Sequence, residues 1–261
     1  MAPDQTGNES ERTLELGKTP VDRSFDMDAA HLLPPIDDPK RRPLIFTPDA
    51  PRAIEWTADR LLAGGVVAFP TDTVYALAAS LAHPESLARL SALKQRPPGK
   101  PIPVLLASAS ALALVARQPD ARVEALVARF WPGPLTVAVP ARAGLPASVV
   151  AGDGTVGVRV PNHFLALELL ELAGGAAAGT SANRGGQMPA RSTPEVVAAF
   201  DREIDLILDG GTTPGGVAST VIRCDGDTLR ILRDGPISPD DLQAAWKEIV
   251  REATDLTAPN P

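Results

Sequence analysis

A chain of 261 residues, 44% of them hydrophobic, can bury a full core and fits one large domain or two small ones. It has no apolar run of membrane-spanning length and no amino-terminal signal peptide, and its single Cys224 excludes an intramolecular disulfide or a multi-cysteine zinc site, so a soluble cytoplasmic protein is expected. The formal charge of −7 is gathered at the start, where residues 1–38 hold nine acidic side chains against three basic ones; the rest is nearly neutral and gives no argument against a polyanionic partner.

That opening stretch is polar, poor in aromatics and punctuated by Pro34-Pro35, Pro39 and Pro43, so residues 1–43 are expected to be a disordered acidic tail and linker. Lys40-Arg41-Arg42 reads as its solvated join. A folded domain is expected over residues 44–251, with 252–261 a flexible end. Asp49-Ala50-Pro51 reads as a helix start, with Ile54, Ala58, Leu61 and Leu62 on one face and Gly64-Gly65 as the stop. Val66 to Phe69 follows as a short buried strand that Pro70 ends. Thr71-Asp72-Thr73 then places three small oxygen-bearing side chains just past the strand, where ligands sit in open α/β sheets. A capped turn explains the same residues.

Val74 to Leu81 predicts a second strand, and Pro84-Glu85 opens a helix with Leu87, Leu90 and Leu93 as its buried stripe. That helix runs out at Lys94-Gln95-Arg96, before Pro97-Pro98-Gly99-Lys100-Pro101. Ile102 to Leu106 reads as a strand, and Ala107 to Arg117 and Ala121 to Phe130 as helices. Trp131-Pro132-Gly133-Pro134 breaks the pattern before strands at Leu135 to Val139 and Val156 to Val160. His163 to Leu172 is a helix with Leu165, Leu169 and Leu172 at helical spacing. Ala176 to Ala178 suits a closely packed strand, followed by a glycine-rich loop from Gly179 to Gly186. Thr193 to Phe200 reads as a helix, Ile204 to Leu208 as a strand ending at Asp209-Gly210-Gly211, and Ser219 to Arg223 with Thr228 to Leu232 as a hairpin. Ser238-Pro239-Asp240-Asp241 opens a last helix reaching about Ile249. Mixed elements with no internal repeat point to a single α/β domain.

The common catalytic signatures are missing: no phosphate-binding P-loop, no strand-linked G-x-G-x-x-G, no H-E-x-x-H and no G-x-S-x-G. His31, His83 and His163 are too scattered for a metal cluster. Four features remain. Lys94 and Arg96 beside a proline-rich turn suit a phosphate clamp, or simply favourable charge at a helix C-terminus. Arg159, leaving a strand before Val160-Pro161, suits a carboxylate partner or a surface ion pair. Ser181-Ala182-Asn183 offers hydroxyl, amide and backbone donors for a phosphate, or an ordinary Asx or Ser turn. Ser219-Thr220 and Arg233 complete the set.

In chain order, PTDTVY, KQRP, WPGPLT, VRVP, TSAN, DGG, STV and LRDG resemble the YrdC-like threonylcarbamoyl-AMP synthase family, over roughly Ile54 to Ile237. The resemblance implies a single-domain twisted mixed α/β sheet flanked by helices around a positively lined cavity. It implies an L-threonylcarbamoyladenylate synthase, a nucleotidyltransferase that forms threonylcarbamoyl-AMP and pyrophosphate from L-threonine, bicarbonate and ATP. The product would feed threonylcarbamoyladenosine modification of tRNA, with downstream transfer enzymes and tRNA as partners and no membrane. Carried over residue by residue, Thr71, Arg159 and Ser219 would contact threonine, and Lys94 and Arg96 the ATP phosphates as catalytic groups. Ser181 and Asn183 would hold the nucleotide or its magnesium, which enters as Mg-ATP, and Arg233 the nucleotide. No side-chain nucleophile is required. The chain departs from the family pattern at Ala76 and Ala78 (often glycine), Leu105 (a histidine in some members), Gly185 (often serine) and Ala218 (within EST). Alternatives are a noncatalytic YrdC/YciO-like RNA-binding or regulatory module and a carbamoyl-adenylate enzyme; the retained SAN triplet favours the synthase.

Overall fold

The structure, a computed structural model, describes residues 42–97 and 99–257. The tail expected over residues 1–43 lies outside the described residues up to position 41, as do Pro98 and residues 258–261. Among the described residues ten strands, β1 (Leu44–Phe46), β2 (Val67–Pro70), β3 (Tyr75–Ala79), β4 (Val104–Leu106), β5 (Leu135–Pro140), β6 (Thr155–Arg159), β7 (Ala176–Ser181), β8 (Leu206–Leu208), β9 (Thr220–Asp225) and β10 (Thr228–Arg233), form one sheet. Their order is β1-β8-β2-β3-β7-β4-β6-β5-β9-β10. Parallel pairs (β1 and β2 with β8, β4 with β6, β5 with β9) stand among antiparallel ones, so the sheet is mixed as expected.

Among the described residues six α-helices cover it: α1 (Ala53–Leu62), α2 (Pro84–Leu93), α3 (Ala121–Phe130), α4 (Phe164–Leu172), α5 (Thr193–Phe200) and α6 (Pro239–Thr257). The central strands are buried along their whole length, every residue of β2, β3 and β4 included, which is why they read as continuous apolar runs rather than alternating ones. Alternate residues still part company. Tyr75, Leu77 and Ala79 enter a large core with the buried stripes of α2, α3 and α6, while Ala76 and Ala78 enter a smaller one with α1 and α4. The smaller core is built from Leu61 of α1 and Leu165, Leu169 and Leu170 of α4. No helix among the described residues is long and apolar enough to cross a membrane.

Local expectations fail in four places, each for a physical reason. Gly179, Thr180 and Ser181, expected in a loop, continue β7, because β3 lies alongside and pairs Ala76 with Ser181 and Leu77 with Thr180. Ala107 to Arg117, expected as an α-helix, yields only a 3₁₀ stretch at Ala109–Leu114, whose single buried side chain is Leu112. Helix α1 begins at Ala53 rather than at Pro51; Asp49 to Arg52 form a turn, with Arg52 left-handed at φ 60°. The last helix continues past Ile249 to Thr257, into the stretch expected to be a flexible end; Ser238 accepts from the Asp241 N–H at 3.1 Å, and Leu242, Ala245, Trp246 and Ile249 form its buried stripe.

Candidate active site

The chemistry-bearing loops converge because their backbones are bonded to one another. Thr71 Oγ1 donates to the Val74 carbonyl at 2.6 Å and accepts from the Thr73 and Val74 N–H groups at 3.2 and 3.3 Å. The capped-turn reading of this stretch therefore holds, and the turn it makes sets Thr73 and Asp72 beside Arg159. Arg159 is fixed from three sides. Nε donates to the Gly133 carbonyl at 2.9 Å, Nη1 to Thr73 Oγ1 at 3.0 Å and Nη2 to Asp72 Oδ1 at 2.5 Å. A Cβ at position 133 would stand 2.4 Å from the Phe130 carbonyl, so only glycine fits where the Gly133 carbonyl meets the guanidinium. Of the five N–H groups of Arg159, one on each terminal nitrogen is left over. Asp72 also accepts from the Asn162 N–H at 3.0 Å, which ties the β2–β3 turn to the segment entering α4.

Lys94 and Arg96 owe their positions to how α2 ends. The Gln95 N–H bonds the Ala92 carbonyl at 2.9 Å and the Arg96 N–H bonds the Ser91 carbonyl at 3.1 Å, the paired closure that winds a helix onto a left-handed residue. That residue is Gln95, at φ 49°, where glycine is the usual occupant. Lys94, only 8% exposed, sends Nζ to the Ser181 carbonyl at 2.7 Å, Asn183 Oδ1 at 2.6 Å and Ser181 Oγ at 3.3 Å. Ser181 Oγ donates to the same Asn183 oxygen at 2.6 Å, while the Asn183 amide nitrogen donates to the Arg184 and Gln187 carbonyls at 2.9 and 2.8 Å. The amide orientation is thereby set by its partners. Gly185 lets this loop close on α2, since a Cβ there would lie 3.1 Å from the Lys94 carbonyl.

Arg96 Nε bonds the Lys100 carbonyl at 2.9 Å and Nη2 bonds the Pro101 carbonyl. Arg233 grips Ser219, with Nη2 on the carbonyl at 2.7 Å and on Oγ at 3.1 Å; Ser219 Oγ also meets Thr136 Oγ1 at 2.8 Å. All these groups surround one cleft of about 530 Å³, which Thr71, Lys94, Arg96, Arg159, Ser181, Asn183, Ser219 and Arg233 line together. The eight candidate residues are thus neighbours in space although they span Thr71 to Arg233 in sequence.

The electrostatics of the cleft are one-sided. Five cations line it (Lys94, Arg96, Lys100, Arg159 and Arg233), and among the described residues no lining residue is acidic. Burial, then the Arg96, Arg233 and Lys100 charges, hold the Lys94 ammonium down to about 7. Burial likewise lowers Arg96 and Arg233, with the Arg233 charge adding to the effect on Arg96. Arg159 is pushed down by burial and held up by Asp72. Such a concentration of partly dehydrated positive charge is unfavourable alone and becomes favourable when a polyanion fills it.

Asp72, Thr73, Lys100 and Thr136 were missed as site residues. All four lie inside stretches that drew attention, but nothing along the chain told which member of each stretch turns inward. His163 occupies the N-cap position of α4 without capping it, and its Nδ1 is buried without a hydrogen-bond partner. The Cys224 thiol is pushed up to about 12 by burial, which suits an inert side chain rather than a nucleophile.

Known proteins resemble this chain in sequence and in fold. Residues 59–235 match the Sua5/YciO/YrdC family model, whose description is "Telomere recombination". The threonylcarbamoyl-AMP synthase of Pyrococcus abyssi is 37% identical over 186 residues, covering 71% of this chain and 55% of that one. This chain thus spans about half the length of that relative. The threonylcarbamoyl-AMP synthase of Alkalilimnicola ehrlichii is 38% identical over 182 residues, covering 69% of this chain and 94% of that one. The crystal structure of P. abyssi Sua5 complexed with L-threonine superposes with a TM-score of 0.72 at 34% identity, covering 77% of this chain and 60% of that one. With most of its folded residues inside the family model and one relative matched almost end to end, the chain belongs to the Sua5/YciO/YrdC family.

Proposed function

We propose that the protein is an L-threonylcarbamoyladenylate synthase, joining L-threonine, bicarbonate and ATP into threonylcarbamoyl-AMP and pyrophosphate. The observation that carries this reading is the five-cation cleft, which no acidic side chain lines among the described residues and in which one cation, Arg159, is already neutralised by Asp72. A cleft of that kind holds two differently charged ligands side by side. The spare N–H groups of Arg159 take the threonine carboxylate, with the Thr73, Thr136 and Ser219 hydroxyls around it. Lys94, Arg96, Lys100 and Arg233 take the phosphates.

The threonine amine forms its C–N bond to the carbon of bicarbonate with loss of water, giving a carbamate. A carbamate oxygen then attacks the α-phosphorus, and the bond from that phosphorus to the bridging oxygen breaks, its electron pair leaving with pyrophosphate. The chain supplies alignment of the two reactants and positive charge where negative charge grows. No covalent intermediate on the protein is needed, in keeping with a site built from donors. The product serves threonylcarbamoyl transfer to tRNA in the cytoplasm.

The test is pyrophosphate release by the purified full chain, with each substrate omitted in turn. A synthase requires threonine, bicarbonate and ATP together. A noncatalytic RNA-binding or regulatory module releases none with all three present.

A further inference from the structure

Ser181 and Asn183 are expected to hold the nucleotide or its magnesium, and the bonds they already make bear on the second of these. Asn183 Oδ1 already accepts from Lys94 Nζ at 2.6 Å and from Ser181 Oγ at 2.6 Å, which fills both lone pairs. The amide cannot turn over to offer another oxygen, because its nitrogen is held by the Arg184 and Gln187 carbonyls. The Ser181 carbonyl and hydroxyl lie 2.7 and 3.3 Å from the Lys94 ammonium, so a divalent ion on either would face a cation at close range. Thr71 Oγ1 is consumed by its own turn, Thr73 Oγ1 accepts from Arg159, and Thr136 and Ser219 bond each other.

Carboxylates, the usual protein ligands of magnesium, are absent from the lining among the described residues. Asp72, the one that touches a lining cation, is committed to Arg159 and to the Asn162 N–H. Among the described residues no three His, Cys, Asp or Glu side chains are grouped so as to hold a metal ion. Positive charge is instead supplied by Lys94, Arg96, Lys100 and Arg233, none of which has a carboxylate partner among the described ion pairs. We propose that the cleft recognises the polyphosphate chain through these four cations, as the metal-free anion, with no side chain acting as a metal ligand. Ser181 and Asn183 are then positioning residues that aim Lys94. This rests on reading the cleft as a polyphosphate site.

Calorimetric titration of the full chain with ATP and with inorganic pyrophosphate, in EDTA and in excess magnesium chloride, tests it. The expected dissociation constants in EDTA are equal to or tighter than those in magnesium; a weakening by more than about fivefold on chelation would overturn the proposal. Asn183→Asp adds a second arm. A carboxylate there pairs with Lys94 and competes with phosphate, so affinity falls by the same factor in both buffers; loss in EDTA with recovery in magnesium shows a metal ligand at this position and overturns the proposal. Failure of both anions to bind in both buffers overturns the polyphosphate reading itself, a result distinct from metal dependence.

Discussion

The two ends of the cleft use arginine and lysine in opposite ways. At one end Arg159 is 6% exposed, paired with Asp72 and fixed by the Gly133 carbonyl, so its charge is compensated before any ligand arrives. At the other, Lys94 is nearly as buried, yet its partners are neutral oxygens and its charged neighbours are Arg96, Arg233 and Lys100. A compensated cation with two spare donors orients a ligand that carries its own positive charge, as an amino acid does. An uncompensated cluster is in electrostatic debt until a polyanion arrives. The difference lies in one carboxylate.

Removing the centre of the uncompensated cluster gives the largest expected effect. Lys94→Ala is predicted to lower turnover by about a hundredfold or more, while the melting temperature stays level or rises, because a buried ammonium among cations destabilises the free protein. Circular dichroism melting beside pyrophosphate release checks both halves. A cation that merely capped α2 would give the reverse pattern, slight destabilisation with normal activity.

Deleting the compensating charge comes next. Asp72→Asn keeps a side-chain oxygen for Arg159 but removes the negative charge, and it is predicted to raise the threonine KM by about tenfold while the ATP KM stays within about twofold. A purely structural role for Asp72 would instead lower the melting temperature and leave the two KM values in their original ratio.

The pH dependence sharpens the comparison at the cationic end. Lys94 lies at about 7 in the free protein, and a bound polyphosphate raises it. Binding therefore takes up a proton above pH 7, and ATP affinity should fall as pH rises from there; titrations in buffers of different ionisation enthalpy measure the uptake. The stability of the free protein moves the other way. The unfolded chain keeps this lysine protonated up to its ordinary range near 10.5, so the Lys94 contribution makes stability rise with pH between about 7 and that range. The smallest effect is expected at Gln95. Gln95→Gly relieves a left-handed side chain and should add up to about 1 kcal/mol of stability by denaturant melting, with turnover unchanged or modestly lower.

Much of this architecture is legible along the chain because helices and fully buried strands carry strong local signals. Helix α3 lies where the spacing predicts it, and α2 stops at Lys94-Gln95-Arg96 as its proline-rich sequel implies. The strand at Gly179 to Ser181 is invisible locally, since glycine, threonine and serine read as a loop until β3 is placed beside them. Strand β1 has three residues, too few for any period, and owes its existence to pairing with β8. At the site, the eight candidate residues do meet, but the partner that divides the cleft into two chemistries, Asp72, was passed over in favour of its neighbour Thr71. In sequence the two are equivalent small polar residues of one turn. Only the approach of Arg159, 87 positions away, separates the residue that closes the turn from the one that balances the charge.

The two-ended cleft is tested most directly by crossing two variants with two substrates, using steady-state pyrophosphate release. Arg159→Ala is predicted to raise the threonine KM by about tenfold or more and to leave the ATP KM within about twofold, and Arg233→Ala to do the opposite. If both variants moved both constants by similar factors, the division of the cleft into an amino-acid end and a polyphosphate end would be contradicted.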